Sequence, residues 1–177
     1  MSETDRRARF EQLAMPLLDD ALQLAAWLAG NRADADDIVQ EAMLRAYKYL
    51  DRFSGAAFRP WLLAIVRNTA MTWLKRNRSP RLVLVPDFAT EESNTGMNAA
   101  QPETPEDRMV QRDLASRLNQ AVAALPDEFR EVIVLRELQE LSYKEIAAVI
   151  NVPIGTVMSR LSRARKLLMD ALPEVST

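Results

Sequence analysis

Cationic side chains are concentrated in two parts of this chain of 177 residues, and their types indicate binding to a polyanion. Residues 52–86 contain seven arginines and lysines and no aspartate or glutamate. The second group lies near the C-terminus and consists of Arg160, Arg163, Arg165 and Lys166. The remaining segments are mostly acidic, which leaves a formal net charge of only −2. Since a solvated surface ordinarily mixes both signs, two separate basic patches favour two contacts with a polyanion over a chance basic stretch.

The chain contains no cysteine and no histidine, and this excludes several kinds of active site. Disulfides, thiolate zinc sites, cysteine nucleophiles and serine–histidine pairs all need residues that the sequence lacks. An enzyme built on carboxylates, lysines or tyrosines stays open, but no such arrangement stands out. We therefore expect a binding protein that is not an enzyme and holds no metal and no cofactor. Its polar N-terminus and its apolar stretches, all shorter than the ~20 residues of a membrane span, predict a cytoplasmic protein without membrane insertion.

Helical spacing of the apolar residues dominates the chain, so the fold class is predicted to be all-α. Residues 79–104 interrupt that spacing with three prolines and an acidic, polar composition, which is typical of a linker. The linker separates two small helical domains, residues 1–78 and 105–177, whose relative placement the sequence does not determine. The first domain is predicted to be a bundle of three to four helices. Its main helices are expected at about residues 10–29, 35–52 and 57–76, with Leu44 on the buried side of the second.

The second domain is predicted to contain four helices. Thr104, followed by proline and two carboxylates, has the features of an N-cap, so the first of these helices begins there and ends near residue 124. Its apolar stripe, expected to be buried, consists of Val110, Leu114, Leu118 and Val122. The next helix covers about residues 126–139 and is expected to place Leu138 inside.

The last two predicted helices form a helix-turn-helix. Ser142 and Glu145 have the spacing of a capping box, and Asn151 tolerates the left-handed conformation that a tight turn requires. The final helix starts at residue 154 or 155 and ends near residue 171. Its outer side carries short polar groups and long cations, namely Thr156, Ser159, Arg160, Ser162, Arg163 and Lys166. Such a surface fits the major groove of DNA, whereas the alternative is an amphipathic helical hairpin with a polar outside.

Three blocks of the sequence resemble the extracytoplasmic-function (ECF) sigma factors of bacterial RNA polymerase. Residues 142–165, with the run Gly155-Thr156-Val157-Met158-Ser159-Arg160-Leu161, resemble the C-terminal domain of the family, region 4 (σ4). Residues 28–42 resemble the part of region 2 (σ2) that grips the polymerase, and residues 58–70 resemble the part that opens the −10 element. Two positions depart from the family pattern. Asn151 stands where a glycine is usual, and Met158 stands where a lysine or arginine is usual.

The resemblance implies a sigma factor that directs core RNA polymerase to promoters and helps to open the −10 element, in a stress or signal response. Its partners would be promoter DNA and the β′ clamp helices and β flap of the polymerase. Family members are commonly held inactive by an anti-sigma factor, so such a regulator is expected as well. By similarity, the clamp helices would contact Asp36, Asp37, Gln40 and Glu41. Taken as residues alone, these four could equally be a solvated acidic helix face.

The resemblance also assigns roles to the basic side chains. The −10 element would contact the loop of residues 51–57 and the side chains Arg59, Arg67, Asn68, Lys75, Arg76 and Arg78, with Asn68 near the captured base. Base edges of the −35 element would contact Ser159, Ser162 and Arg163, with Met158 beside them. Its phosphates would contact Thr156, Arg160, Arg165 and Lys166, and Gly155 would permit close approach of the backbone. Trp61 and Trp73 are expected to be core residues rather than platforms for base stacking.

The linker and two competing functions complete the predictions. By resemblance, the linker threads the polymerase channel, where the carboxylates of Glu91, Glu92 and Glu103 would mimic an RNA backbone.

A response regulator with a related helix-turn-helix is one alternative function, but the first half of the chain offers no strand pattern for a receiver domain. An adaptor that only titrates a regulator is the other, and it would not need two cationic patches.

Overall fold

The computed structural model describes residues 2–55, 57–77 and 104–172. These residues form eight α-helices and no strand, so the predicted all-α class is confirmed. Helices α1 to α4 belong to the N-terminal unit, and α5 to α8 belong to the C-terminal unit. Their bounds are Glu3–Ala14 (α1), Leu18–Ala29 (α2), Arg32–Tyr49 (α3), Phe58–Arg76 (α4), Pro105–Ala123 (α5), Asp127–Ile133 (α6), Tyr143–Ile150 (α7) and Ile154–Ala171 (α8). No described helix is both long and apolar enough to span a bilayer.

The N-terminal region contains two helices where the sequence predicted one. Ser2 and Asp5 form a capping box that starts α1, well before the expected residue 10. Pro16 lies in a short 3₁₀ turn, Met15–Leu17, that separates α1 from α2. A proline has no backbone N–H to donate to the preceding turn, so it accounts for the break inside an otherwise helical stretch. The predicted end of α2 is confirmed, because Gly30 adopts a left-handed conformation with φ of 79°.

Helices α2, α3 and α4 pack against one another and form the core of the N-terminal unit. Small residues such as Ala21, Ala25 and Ala26 are fully buried where α2 meets its neighbours, and this permits close approach of the helices. Leu44 is 67% exposed, so its predicted burial is wrong. It lies one turn beyond Gln40 on the exposed side of α3, because the buried stripe of this helix passes instead through Ala42 and Ala46.

The first helix of the C-terminal unit starts where the sequence predicted, but most of its apolar stripe is exposed. Thr104 and Asp107 form a capping box at the start of α5, with Pro105 at the first helical position. Val122 is buried as expected, whereas Val110, Leu114 and Leu118 are 68%, 44% and 43% exposed, so their predicted burial is wrong. The buried residues of α5 are Val122 and Ala123 at its C-terminal end. Toward the N-terminal end of α5 the stripe is therefore largely exposed among the described residues.

A π turn at the end of α6 changes which side chains point inward. Residues Val134–Leu138 form this turn, and the backbone N–H of Gln139 donates to the carbonyl of Val134 at 3.0 Å. The wider turn shifts the phase of the following side chains. As a result Leu138 is 43% exposed, which corrects its predicted burial, while Gln139 is buried.

The predicted helix-turn-helix is present in α7 and α8. Ser142 and Glu145 form the capping box, and Asn151 ends α7 in the left-handed region with φ of 56° and ψ of 54°. The N–H of Val152 donates to the carbonyl of Ala147 at 3.1 Å, which closes the turn. Buried Ile146 and Leu161 join the two helices to α6 in one core.

The two helical units lie directly against each other. Helix α4 packs on α7, and α2 packs on α6, so that buried residues of both units form one continuous apolar cluster. This placement was left open in the sequence analysis. The contact between the units determines the surroundings of several side chains that were predicted to contact DNA.

Candidate nucleic-acid interface

Helix α8 presents an open polar edge opposite its buried side. Val157, Leu161 and Ala164 are buried, and they fix the orientation of the helix on the core. The opposite side is exposed and carries Met158, Ser159, Ser162, Arg163 and Lys166. All of these residues were predicted to lie at the −35 element, and the structure brings them to one face. This face combines hydroxyl groups of short reach with cations of long reach.

The N-terminal turn of α8 leaves space for another backbone. A Cβ added to Gly155 would meet no described atom within 4 Å, so internal packing does not require a glycine there. Ser159 donates from its hydroxyl to the carbonyl of Thr156 at 3.1 Å, which places one polar group over the first turn. Room for a phosphate backbone therefore exists beside the positive end of this helix.

The other two cations of α8 already have carboxylate partners. Arg165 donates from Nη2 to Glu137 Oε1 at 3.0 Å, and hydrogen bonds with Tyr143 and Glu137 raise the pKa of Arg165 above its usual value. Arg160 lies 4.0 Å from Glu128. Both pairs are at the surface, where an ion pair contributes only about 0–1 kcal/mol. Another anion can therefore replace these carboxylates at little cost.

The basic helix α4 is divided between an exposed and a covered part. Asn68, Lys75 and Arg76 are exposed, as a role in contacting DNA requires. Arg59 and Arg67 instead turn toward the C-terminal unit. The remaining predicted side chain, Arg78, and the linker acids Glu91, Glu92 and Glu103 lie outside the described residues.

Arg67 forms a two-pronged ion pair across the contact between the units. Its Nε donates to Glu131 Oε2 at 2.7 Å, and its Nη2 donates to Glu131 Oε1 at 3.1 Å. Glu131 is only 2% exposed. Sequence reasoning missed this residue, although a signal was available. Glu131 lies one turn before the buried Leu135, and a carboxylate on an inward face needs a cationic partner.

Arg59 belongs to a second polar contact between the units. Its Nε donates to Asp20 at 2.8 Å and its Nη2 donates to Gln139 Oε1 at 2.9 Å. The amide nitrogen of Gln139 donates in turn to Gln23 Oε1 at 2.7 Å and to the carbonyl of Asp20 at 3.2 Å. Gln139 is almost completely buried and was not predicted as a functional residue. The π turn of α6 directs it inward.

The loop before α4 is held by aromatic packing and by an arginine from α1. Phe53, Phe58 and Trp61 pack with ring centroids 5.3 Å apart in each pair. Arg6 donates to the carbonyls of Tyr47 and Lys48 at 2.8 and 3.0 Å, and thus holds the C-terminal end of α3. The loop of residues 51–57 therefore starts and ends at fixed points. Trp61 is partly buried within this cluster.

The acidic side of α3 is a separate surface. Asp36, Asp37 and Gln40 are exposed, and Glu41 is half-buried and paired with Arg45. The side chains at positions 36 and 40, and at 37 and 41, lie one helical turn apart, so the four form one face. The exposed Leu44 extends this face by one turn.

Comparisons with known proteins agree with the two-unit architecture. The family model described as Sigma-70 region 2 matches residues 13–79, and the one described as Sigma-70, region 4 matches residues 115–168. The chain is 39% identical to the ECF RNA polymerase sigma-E factor of Escherichia coli K12 over 137 residues, which cover 76% of this chain and 72% of that protein. It is 36% identical to the ECF RNA polymerase sigma factor SigW of Bacillus subtilis over 160 residues, or 89% and 85% of the two chains.

Solved structures of similar fold also include both units. The sigma factor RpoE of Bartonella quintana, solved in complex with the anti-sigma factor NepR, matches with a TM-score of 0.67 and 25% identity, over 93% of this chain and 97% of that chain. CnrH, solved in complex with the cytosolic domain of CnrY, matches with a TM-score of 0.65 and 26% identity, over 97% and 91% of the two chains.

Proposed function

The chain belongs to the family of ECF sigma factors, and from that premise we propose which of its surfaces act in transcription. It directs bacterial RNA polymerase core to promoters and takes part in opening DNA at initiation. Sigma factors are transcription initiation factors and not catalysts. We divide the chain into a region 2 domain at residues 1–78, a linker at 79–104 and a region 4 domain at 105–177. The cytoplasm is the place of action, because the polymerase and the chromosome are there.

The open edge of α8 is the surface that reads the −35 element. The observation that carries this assignment is the combination of the left-handed turn at Asn151 with an exposed edge of serines and cations on the next helix. Ser159, Ser162 and Arg163 contact base edges, and Met158 packs beside them. The phosphates are bound by Thr156, Arg160, Arg165 and Lys166. Gly155 permits close approach of the DNA backbone to the first turn of α8.

The N-terminal unit supplies the other two surfaces. Helix α4 and the preceding loop bind the −10 element through Arg59, Arg67, Asn68, Lys75, Arg76 and Arg78. The acidic side of α3 docks on the basic clamp helices of β′ through Asp36, Asp37, Gln40 and Glu41, since opposite charges steer such an association. The β flap contacts the C-terminal unit. An anti-sigma factor that responds to stress or another signal controls the chain, and the complex of RpoE with the anti-sigma factor NepR supports this part of the proposal.

Run-off transcription with purified core polymerase tests the proposed function. Fragmented DNA of the source genome is transcribed with core alone, with core and the chain, and with core and an Asp36→Lys/Asp37→Lys variant. We expect specific transcripts only with the unaltered chain, and loss of co-elution with core for the variant because its charge now repels the clamp. Transcripts at the same level from the variant would refute the assignment of α3. Absence of any transcript with the unaltered chain would refute the function itself.

A further inference from the structure

We propose that Met158 contacts the C5 methyl group of a thymine in the −35 element and thereby selects thymine at one position of the promoter. This inference rests on the proposed function of α8 as the helix that reads the −35 element, and it names the base that one side chain of α8 selects. Met158 then has a base of its own, while Ser159, Ser162 and Arg163 contact neighbouring bases.

Met158 lies inside the open edge of α8 and not at its margin. Positions 158 and 162, and positions 159 and 163, are one helical turn apart, so Met158 and its three polar neighbours form one continuous exposed face. Buried Val157 and Leu161 hold the opposite side of the helix on the core and so fix the direction of this face. Met158 is the fifth residue of α8, and base contacts of a helix-turn-helix come from the N-terminal part of its second helix.

The surface beside Met158 is open and partly apolar. A cavity of about 500 Å³ is lined along α8 by Met158, Ser162, Lys166 and Met169, and on the α7 side by Tyr143. Met158 itself is 53% exposed, so about half of its apolar surface stays in water in the free chain. Burial of this surface against an apolar group of a ligand is favourable.

The chemistry of methionine distinguishes the base edges of the major groove. Guanine, adenine and cytosine present hydrogen-bonding groups there, whereas a thioether has no donor and is a weak acceptor. Contact with Met158 would remove those groups from water without replacing their hydrogen bonds, which costs free energy. Thymine alone presents a methyl group beside its single acceptor. Contact between this methyl group and Met158 buries apolar surface on both partners and requires no hydrogen bond.

The selected thymine should lie close to the base that Arg163 contacts. The two residues are five positions apart on α8, which is about 7.5 Å along a helix. Since successive base pairs are about 3.4 Å apart, we expect the two bases within about three base pairs of each other. This spacing can be read from promoters selected with the parent chain and with Arg163→Ala.

Removal of one methyl group from the DNA tests the inference directly. The probe is the promoter that core polymerase and the parent chain transcribe most strongly from a library with a randomised −35 element. Each thymine of that element is replaced by uracil, one at a time, and binding is measured by competition with the unmodified promoter. We expect one replacement to weaken binding about fourfold, the factor that corresponds to burial of one methyl-sized group. The same replacement should have no effect with Met158→Ala.

Two further variants serve as controls. Met158→Leu keeps an apolar side chain of similar size and should retain the difference between thymine and uracil. Met169→Ala removes an exposed methionine about three turns further along the same helix, and it should retain the difference as well. Both methionines are exposed, so all three variants should have nearly the Tm of the parent chain.

The possible results separate the inference from the function on which it rests. A selected −35 element without thymine, equal binding of thymine and uracil at every position, or a difference that persists in Met158→Ala would overturn the inference. In these three cases promoters are still transcribed, so the proposed function stands. If core polymerase and the chain transcribe no member of the library, the proposed function fails and the inference fails with it.

Discussion

Helix α8 and helix α4 carry similar cations but present them differently. The polar edge of α8 is exposed, and the two of its cations that have carboxylate partners hold them at the surface. On α4, Arg67 is instead paired with a carboxylate that is almost completely buried in the opposite unit. A surface pair exchanges readily, whereas the pair on α4 can exchange only if two domains move apart. The arginines of α8 can therefore exchange their carboxylate partners with the two units in contact, whereas Arg67 on α4 can do so only after the units separate.

Replacement of Arg67 should have the largest effect, because it removes the buried ion pair of α4 and leaves the surface ion pairs of α8 in place. Arg67→Ala leaves Glu131 buried without its cation in the closed form, which costs about 1–3 kcal/mol or more. We expect the two units to separate, measured as the distance between dyes on cysteines introduced at the exposed positions Leu44 and Met169, and promoter opening, followed by permanganate footprinting, to fall. The control is Arg76→Ala, which changes an exposed cation on the same helix and should leave the units in contact. Full promoter opening with Arg67→Ala would contradict a DNA role for this side chain.

Two cations of α8, Arg163 and Lys166, should have different kinds of effect on transcription when each is replaced. Arg163→Ala should change promoter preference at one position of the −35 element, since a base contact contributes ~1–3 kcal/mol of discrimination. Lys166→Ala should weaken all promoters alike and reduce the salt dependence, because a phosphate contact carries no sequence information. Transcription from a promoter library measures both. A uniform loss in Arg163→Ala would remove it from the base-reading set.

The smallest effect is expected at Gly155, where stability and function should change in opposite directions. Gly155→Ala adds a methyl group to open space and should stabilise α8 by about 0.5–1 kcal/mol, measurable as a rise in Tm. The same methyl group should reduce transcription if a phosphate backbone approaches there. Unchanged transcription together with the higher Tm would mean that DNA does not come close to this turn.

Features that depend on a few neighbouring residues were predicted well from the sequence. The N-cap at Thr104, the capping box at Ser142, and the left-handed turns at Gly30 and Asn151 each follow from side chains within about three residues of one another. The exposed edge of α8 follows in the same way, because its buried stripe is regular. The break at Pro16 was missed although its cause is equally local.

Features that depend on a distant partner were not predictable. The apolar stripe of α5 indicates a face that could be buried, but the sequence does not say whether another helix covers Leu114 and Leu118. The π turn rotates Leu138 out and Gln139 in, and helical periodicity assumes that no such turn occurs. Glu131 is 64 positions from Arg67, so no local pattern connects them.

The shared use of Arg67 has an evolutionary consequence. Because this side chain is paired with Glu131 and is also assigned to the −10 element, a substitution that makes Arg67 bind promoters more tightly also makes it bind Glu131 more tightly, and the two gains in affinity offset each other. Selection can therefore change the threshold for activation, meaning the ease with which the two units separate, independently of promoter binding only through Glu131 and Gln139. Lineages that diverge in promoter choice while keeping the same threshold should therefore vary α8 and leave Arg67 and Glu131 to change together.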